Sequence, residues 1–85
     1  MRYYLYILKS KTKEKFYVGV SSNPQRRLIY HNSIEKGFTA RYRPWEIVYA
    51  KEFQSKSEAL KVERKIKRWK SKRMIELVIE GKIEI

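Results

Sequence analysis

YYLYILKSKTKEKFYVGV, residues 3–20, holds two runs of aromatic and aliphatic side chains parted by a polar, lysine-rich turn. Successive side chains along an extended strand point to opposite faces. Residues 3–9 and 16–20 therefore read as a β-hairpin closing over Ser10-Lys11-Thr12-Lys13. Tyr4, Tyr6 and Leu8 share one face of the first strand. On the second, Tyr17 and Gly19 share a face while Phe16, Val18 and Val20 take the other. Gly19 leaves room beside Tyr17, and hairpin pairing can bring Tyr6 next to it. A polar cluster over one sheet face is the expectation.

Outward from the hairpin, Asn23 followed by Pro24 is a helix cap with proline at the first helical position. Residues 25–34 then run as a helix until Glu35-Lys36-Gly37 stops it. Arg27 and His31 stand four apart, hence on one helix face, and Leu28 seats that helix on the sheet. Residues 38–44, with Thr39, Arg41, Tyr42 and Arg43, show no period and read as a basic loop; residues 45–53 read as a third strand. Ser55-Lys56-Ser57-Glu58 matches a capping box, so a helix is expected over 56–69. Ser71 opens a last one over 72–79, which Gly81 ends. The order is β-β-α-β-α-α, and no repeat, linker or low-complexity tract divides the chain. Residues 1–85 read as one α/β (α+β) domain, a small sheet backed by helices.

The helix over 56–69 carries a misfit. At about 100° per residue, Ala59, Leu60, Val62, Ile66 and Trp69 fill one arc, and Glu63 falls in its middle. A lone carboxylate facing the protein is costly unless it is paired or holds a metal. Glu63 is expected to find a partner among the groups upstream: Tyr6, Tyr17, Arg27 and His31.

Composition narrows the function. Twenty-one Lys and Arg against nine Asp and Glu give a net charge of +12, concentrated toward the C-terminal helices. A field of that size on so small a body attracts polyanions, and nucleic acid is the leading partner. A solvated basic face is the plain alternative. Membrane-surface binding fits less well, because Ile66 and Trp69 are needed for the core. The chain has no cysteine, which excludes thiol redox chemistry, a disulfide framework and a cysteine-rich zinc site. Its apolar runs are short and the start lacks a signal-peptide core, so a soluble, cytoplasmic protein without membrane contact is expected.

In Leu5-Tyr6-Ile7, Tyr17-Val18-Gly19, and Arg27, His31 and Glu63 in that order, the sequence resembles the GIY-YIG nuclease superfamily. Arg43-Pro44-Trp45-Glu46-Ile47-Val48-Tyr49, followed by Ala59-Leu60 and Glu63, resembles its small single-domain, UPF0213-like subgroup. The resemblance covers nearly the whole chain. It implies a three-stranded antiparallel sheet flanked by helices, and a DNA endonuclease using one divalent metal, Mg²⁺ or Mn²⁺, held by Glu63. It further implies Tyr17 as general base, Arg27 countering phosphate charge, Tyr6 positioning water or phosphate, and His31 contacting phosphate or aiding protonation. A free phenol has a pKa of about 10 and needs a neighbouring cation to ionise near neutrality. Arg27 is the local candidate, since position 20 is Val where some relatives carry a lysine. The first motif also lacks its glycine, and no asparagine follows Asn32. Nucleic-acid contacts are assigned to Arg41, Arg43, Lys67, Lys70 and Arg73.

Each of these residues has an ordinary alternative. Tyr17 alone reads as half-buried packing, Arg27 as a surface cation, and Glu63 as a partner of Arg64 or Lys67 on its own helix, which its inward heading argues against. Trp45 and Trp69 are assigned to the core rather than to base stacking. A DNA- or RNA-binding module without turnover is the rival function, and a protein-interaction adaptor a third. With little surface for reading base edges, selection by nucleic-acid structure, or through a protein partner, is expected.

Overall fold

In the computed structural model, which describes residues 2–34 and 37–85, the hairpin forms as its alternation demands. Strand β1 (Tyr3–Ser10) pairs with β2 (Phe16–Ser21) on one side and β3 (Trp45–Phe53) on the other, giving an antiparallel sheet in the order β2-β1-β3. Ser10 secures the turn. Its buried hydroxyl donates to the carbonyl of Tyr42 at 2.8 Å and accepts the amides of Thr12 and Lys13 at 3.2 and 3.1 Å. Across β1, Tyr6 stands opposite Gly19 and Ala50, and Leu8 opposite Tyr17. A shift in register between Ile7 and Leu8 against β3 passes from Tyr49 to Ile47, so Val48 is the extra residue of a bulge.

Helix α1 (Pro24–Ser33) starts at Asn23, whose side chain accepts the amide of Arg26 at 3.1 Å. Of its expected stop signal, Glu35 and Lys36 lie outside the described residues. Helix α3 (Lys56–Trp69) is capped by Ser55, which accepts the Glu58 amide at 3.2 Å. Ser71 caps α4 (Lys72–Ile79) in the same way through Met74. At the far end of α4, Gly81 has φ +79°, Lys82 N–H donates to Leu77 and Gly81 N–H to Val78, a Schellman termination that needs a residue tolerant of positive φ.

The expectation of a plain loop over 38–44 is corrected. Phe38–Arg41 form a single helical turn, α2. Four residues are too few to show a period, and the turn is held by tertiary contacts: Trp45 Nε1–H donates to the Thr39 carbonyl at 2.7 Å, and the Phe38 ring lies against Trp45 and Tyr42.

The sheet has a core on each face. Leu5, Ile7 and Val18 pack with Ile66 of α3 and Val78 of α4; Tyr6, Leu8 and Trp45 pack with Leu28 of α1, Tyr17, Tyr42 and Ile47. Trp69 joins the first core and Trp45 the second, as assigned. Asn32 ties α1 to the start of β3, its Oδ1 accepting the Trp45 amide at 2.7 Å and its Nδ2 donating to the Trp45 carbonyl at 3.1 Å. No helix among the described residues is long and apolar enough to cross a membrane.

Candidate active site

The β1–β2 register places a large phenol where its neighbour must be small. A Cβ at Gly19 would lie 2.6 Å from the Tyr6 hydroxyl oxygen and 2.7 Å from its Cζ. The room Gly19 leaves is therefore filled mainly by Tyr6 across the strands, with Tyr17 flanking it. Tyr6, at 1 % exposure, and His31, at 0 %, form the floor of the site and share a hydrogen bond of 3.2 Å between Oη and Nε2. Tyr17 leans on the His31 ring with centroids 4.6 Å apart, and on Tyr6 at 6.4 Å.

Arg27 reaches the same phenol from α1. Its guanidinium hydrogen-bonds the Tyr6 hydroxyl and lies 4.7 Å from the centroid of the Tyr30 ring. A guanidinium can only donate. The Tyr6 oxygen therefore accepts from Arg27, while its hydroxyl shares the bond with His31 Nε2. Burial pushes the Tyr6 pKa above the ordinary phenol value; the Arg27 hydrogen bond opposes this, while the charges of Tyr17 and Glu63 add to the rise. Tyr6 is thus held as a neutral hydroxyl.

Glu63 comes from α3 and is felt electrostatically at Tyr6. Its side chain is 17 % exposed and lies 3.4 Å from Lys67 Nζ. The sequence reading argued against a partner on the same helix, and the Lys67 pair corrects that; it stands beside the influence on Tyr6 upstream. The inward tilt of α3 carries Lys67 along with Glu63, because residues four apart share a face, and Lys67 Nζ sits 6.0 Å from the Tyr17 ring centroid. Lys67, assigned from the sequence to the nucleic-acid surface, is thus part of the cluster.

Tyr6, Tyr17, Arg27, His31 and Glu63 come together in two layers, with Tyr6 and His31 buried beneath the half-buried Tyr17, Arg27 and Glu63. The expected contact of His31 with phosphate is not available in this arrangement, since its side chain is fully enclosed; it braces Tyr6 and Tyr17 instead. Arg43 donates Nε–H to the His31 carbonyl at 2.7 Å, which makes it a brace of α1 as well as part of the basic surface. Arg41, Lys70 and Arg73 are exposed. No signal in the sequence marked Asn32, whose paired bonds to β3 fix the end of α1 that carries His31.

The residues fit a divalent ion only in a restricted way. Among the described residues no three His, Asp or Glu side chains gather as a ligand set. Glu63 supplies one carboxylate beside a cation it can exchange. A small hard ion such as Mg²⁺ is commonly held by one or two carboxylates with water and substrate phosphate completing its shell, and the cluster suits that mode.

A three-stranded antiparallel sheet with a two-tyrosine, arginine and glutamate cluster over one face defines the class. The chain matches the GIY-YIG catalytic domain over residues 2–76 and belongs to that family of endonucleases. It is 36% identical over 81 residues to the UPF0213 protein of Staphylococcus saprophyticus, covering 94% of this chain and 98% of that one. The solution structure of the UPF0213 protein BH0048 of Bacillus halodurans superposes with a TM-score of 0.61 at 30% identity, over 96% of this chain and 86% of that one. The structure-specific endonuclease subunit SLX1 of Chaetomium globosum is 43% identical over 68 residues, which span 72% of this chain and 21% of that protein.

Proposed function

We propose that this protein hydrolyses phosphodiester bonds in DNA with the aid of a divalent metal ion held by Glu63, choosing its substrate by structure rather than by base sequence. The observation that carries the reading is the convergence of a phenol from β2, a guanidinium from α1 and a carboxylate from α3 over the buried Tyr6–His31 pair. Similarity to a structure-specific endonuclease subunit supports the choice of substrate.

Tyr17, ionised beforehand, takes a proton from the attacking water as the water oxygen bonds to phosphorus and the ester bond to the leaving oxygen breaks, the leaving oxygen then gaining a proton from solvent. Positive charge from Lys67 beside Tyr17 and from Arg27 beside Tyr6 favours the phenolate before the step and offsets the negative charge that builds on the phosphate during it. Tyr6, kept neutral, fixes the ring of Tyr17 together with His31. When bound at Glu63, a divalent ion supplies a Lewis acid for the phosphoryl oxygen and the departing oxygen. The test is incubation of supercoiled plasmid and branched DNA with Mg²⁺ or Mn²⁺. Nicking that stops on chelation, and in Glu63→Ala without loss of DNA binding, is the expected result.

A second reading, a binding module without turnover, draws on the Glu63–Lys67 pair, which places an ammonium where a metal would sit. Salt-sensitive DNA binding with no cleavage of duplex, flap, junction or single-stranded substrates under any divalent ion would establish it.

A further inference from the structure

Beside the catalytic cluster, between the edge of β2 and the junction of α3 with α4, a groove of about 310 Å³ starts at Tyr17 and Lys67 and leads away from Glu63. Its floor includes Phe16 and Ile75, and Lys67, Lys70 and Lys72 stand along its α3–α4 side. Glu14 lies at one lip and is the acidic group in the lining. Lys67 falls four residues after Glu63 on the same face of α3, and Lys70 caps that helix, so the lysines lead from the acid into the groove. Lys70 adopts φ 49°, the left-handed conformation that glycine takes more readily, and turns the chain there into α4. The first turn of α4 holds no acid to answer these charges.

We propose that this groove seats an unpaired strand of nucleic acid, its bases on the apolar floor and its phosphates on the lysines. A duplex stacks its bases inside and offers a protein mainly phosphate and sugar, which would leave the floor unmatched. A single strand presents base faces and phosphates together, the pairing that apolar floors between cations accept. The inference rests on the endonuclease reading for its meaning. It deepens that reading by locating the structural preference in a seat for the unpaired arm next to Tyr17.

The test uses the full chain carrying Glu63→Gln, without divalent metal, and fluorescence anisotropy with two DNAs: a duplex bearing a single-stranded flap and the same duplex without it. The flapped DNA is expected to bind about tenfold more tightly, the worth of one well-stacked base. Adding Lys70→Glu and Lys72→Glu is expected to bring that ratio to about one, while Arg41→Glu lowers both affinities and keeps the ratio. Circular dichroism checks that each variant is folded, and Lys70→Ala with Lys72→Ala serves in place of a charge reversal that is not. No flap preference at the start, or a parallel loss of both affinities with the ratio intact, overturns the inference. Because no turnover is read, the two claims fail separately: cleavage by the wild type alongside an unchanged ratio sinks the groove alone, and a lysine-dependent ratio without any cleavage sinks the nuclease alone.

Discussion

Tyr6 is fixed by a glycine on one neighbouring strand, an arginine on a helix and a histidine beneath it, so small changes around it have large expected effects. Gly19→Ala drives a methyl to within 2.6 Å of the phenol oxygen. With the ring buried, the strain is expected to cost about 1–3 kcal/mol in denaturant unfolding and to misplace Tyr17. Burial, the leading cause, raises the Tyr6 pKa. The unfolded chain then ionises first: stability is full below pH about 10 and falls as the pH rises through the folded value. Tyr6→Phe is expected to flatten that alkaline decline in melts taken between pH 8 and pH 11. At the reacting atoms, Arg27→Ala is expected to lower kcat about 10²–10³-fold, the usual worth of one preorganised donor; single-turnover cleavage reads this. The shared face of Tyr17 and Gly19, and that of Arg27 and His31, could be read from the sequence because two-residue and four-residue periods fix faces. The partner of Glu63 could not, since helical position gives a heading but not which of several cations lies along it.

Elements were legible in proportion to their length and caps. Helix α3 follows the bounds that Ser55 and the 3.6-residue period set, and Ile66 is 1 % exposed within its apolar arc. The turn of α2 and the bulge at Val48 were not legible. Both depend on what β3 meets in space, and neither leaves a period in so few residues. The bonds between Asn32 and Trp45 belong to this scale, since they join α1 to β3. Asn32→Ala leaves the amide and carbonyl of Trp45 without those partners, which is expected to cost about 1–3 kcal/mol in urea unfolding and to loosen His31 from beneath Tyr17.

Over the whole molecule, the proposed function has the +12 charge set how far nucleic acid is drawn in and the cluster set what happens where it docks. Affinity for duplex DNA is expected to fall linearly on a log–log plot against salt, with a slope near 0.9 for each phosphate neutralised. Arg73→Ala, exposed on α4, is expected to reduce the slope by about one; titrations between 50 and 200 mM salt, the range over which such contacts weaken most visibly, measure it. Charge and element order were plain in the sequence, whereas the division of the site into a buried Tyr6–His31 floor and a half-buried rim appeared only with the fold. The most direct measurement of the central claim is a crystal of the Tyr17→Phe chain with Mn²⁺ and a short DNA, read by anomalous scattering. The account predicts one metal at about 2 Å from a Glu63 oxygen, sharing a phosphate that also touches Arg27; a phosphate seated away from the cluster, or a metal bound without Glu63, would contradict it.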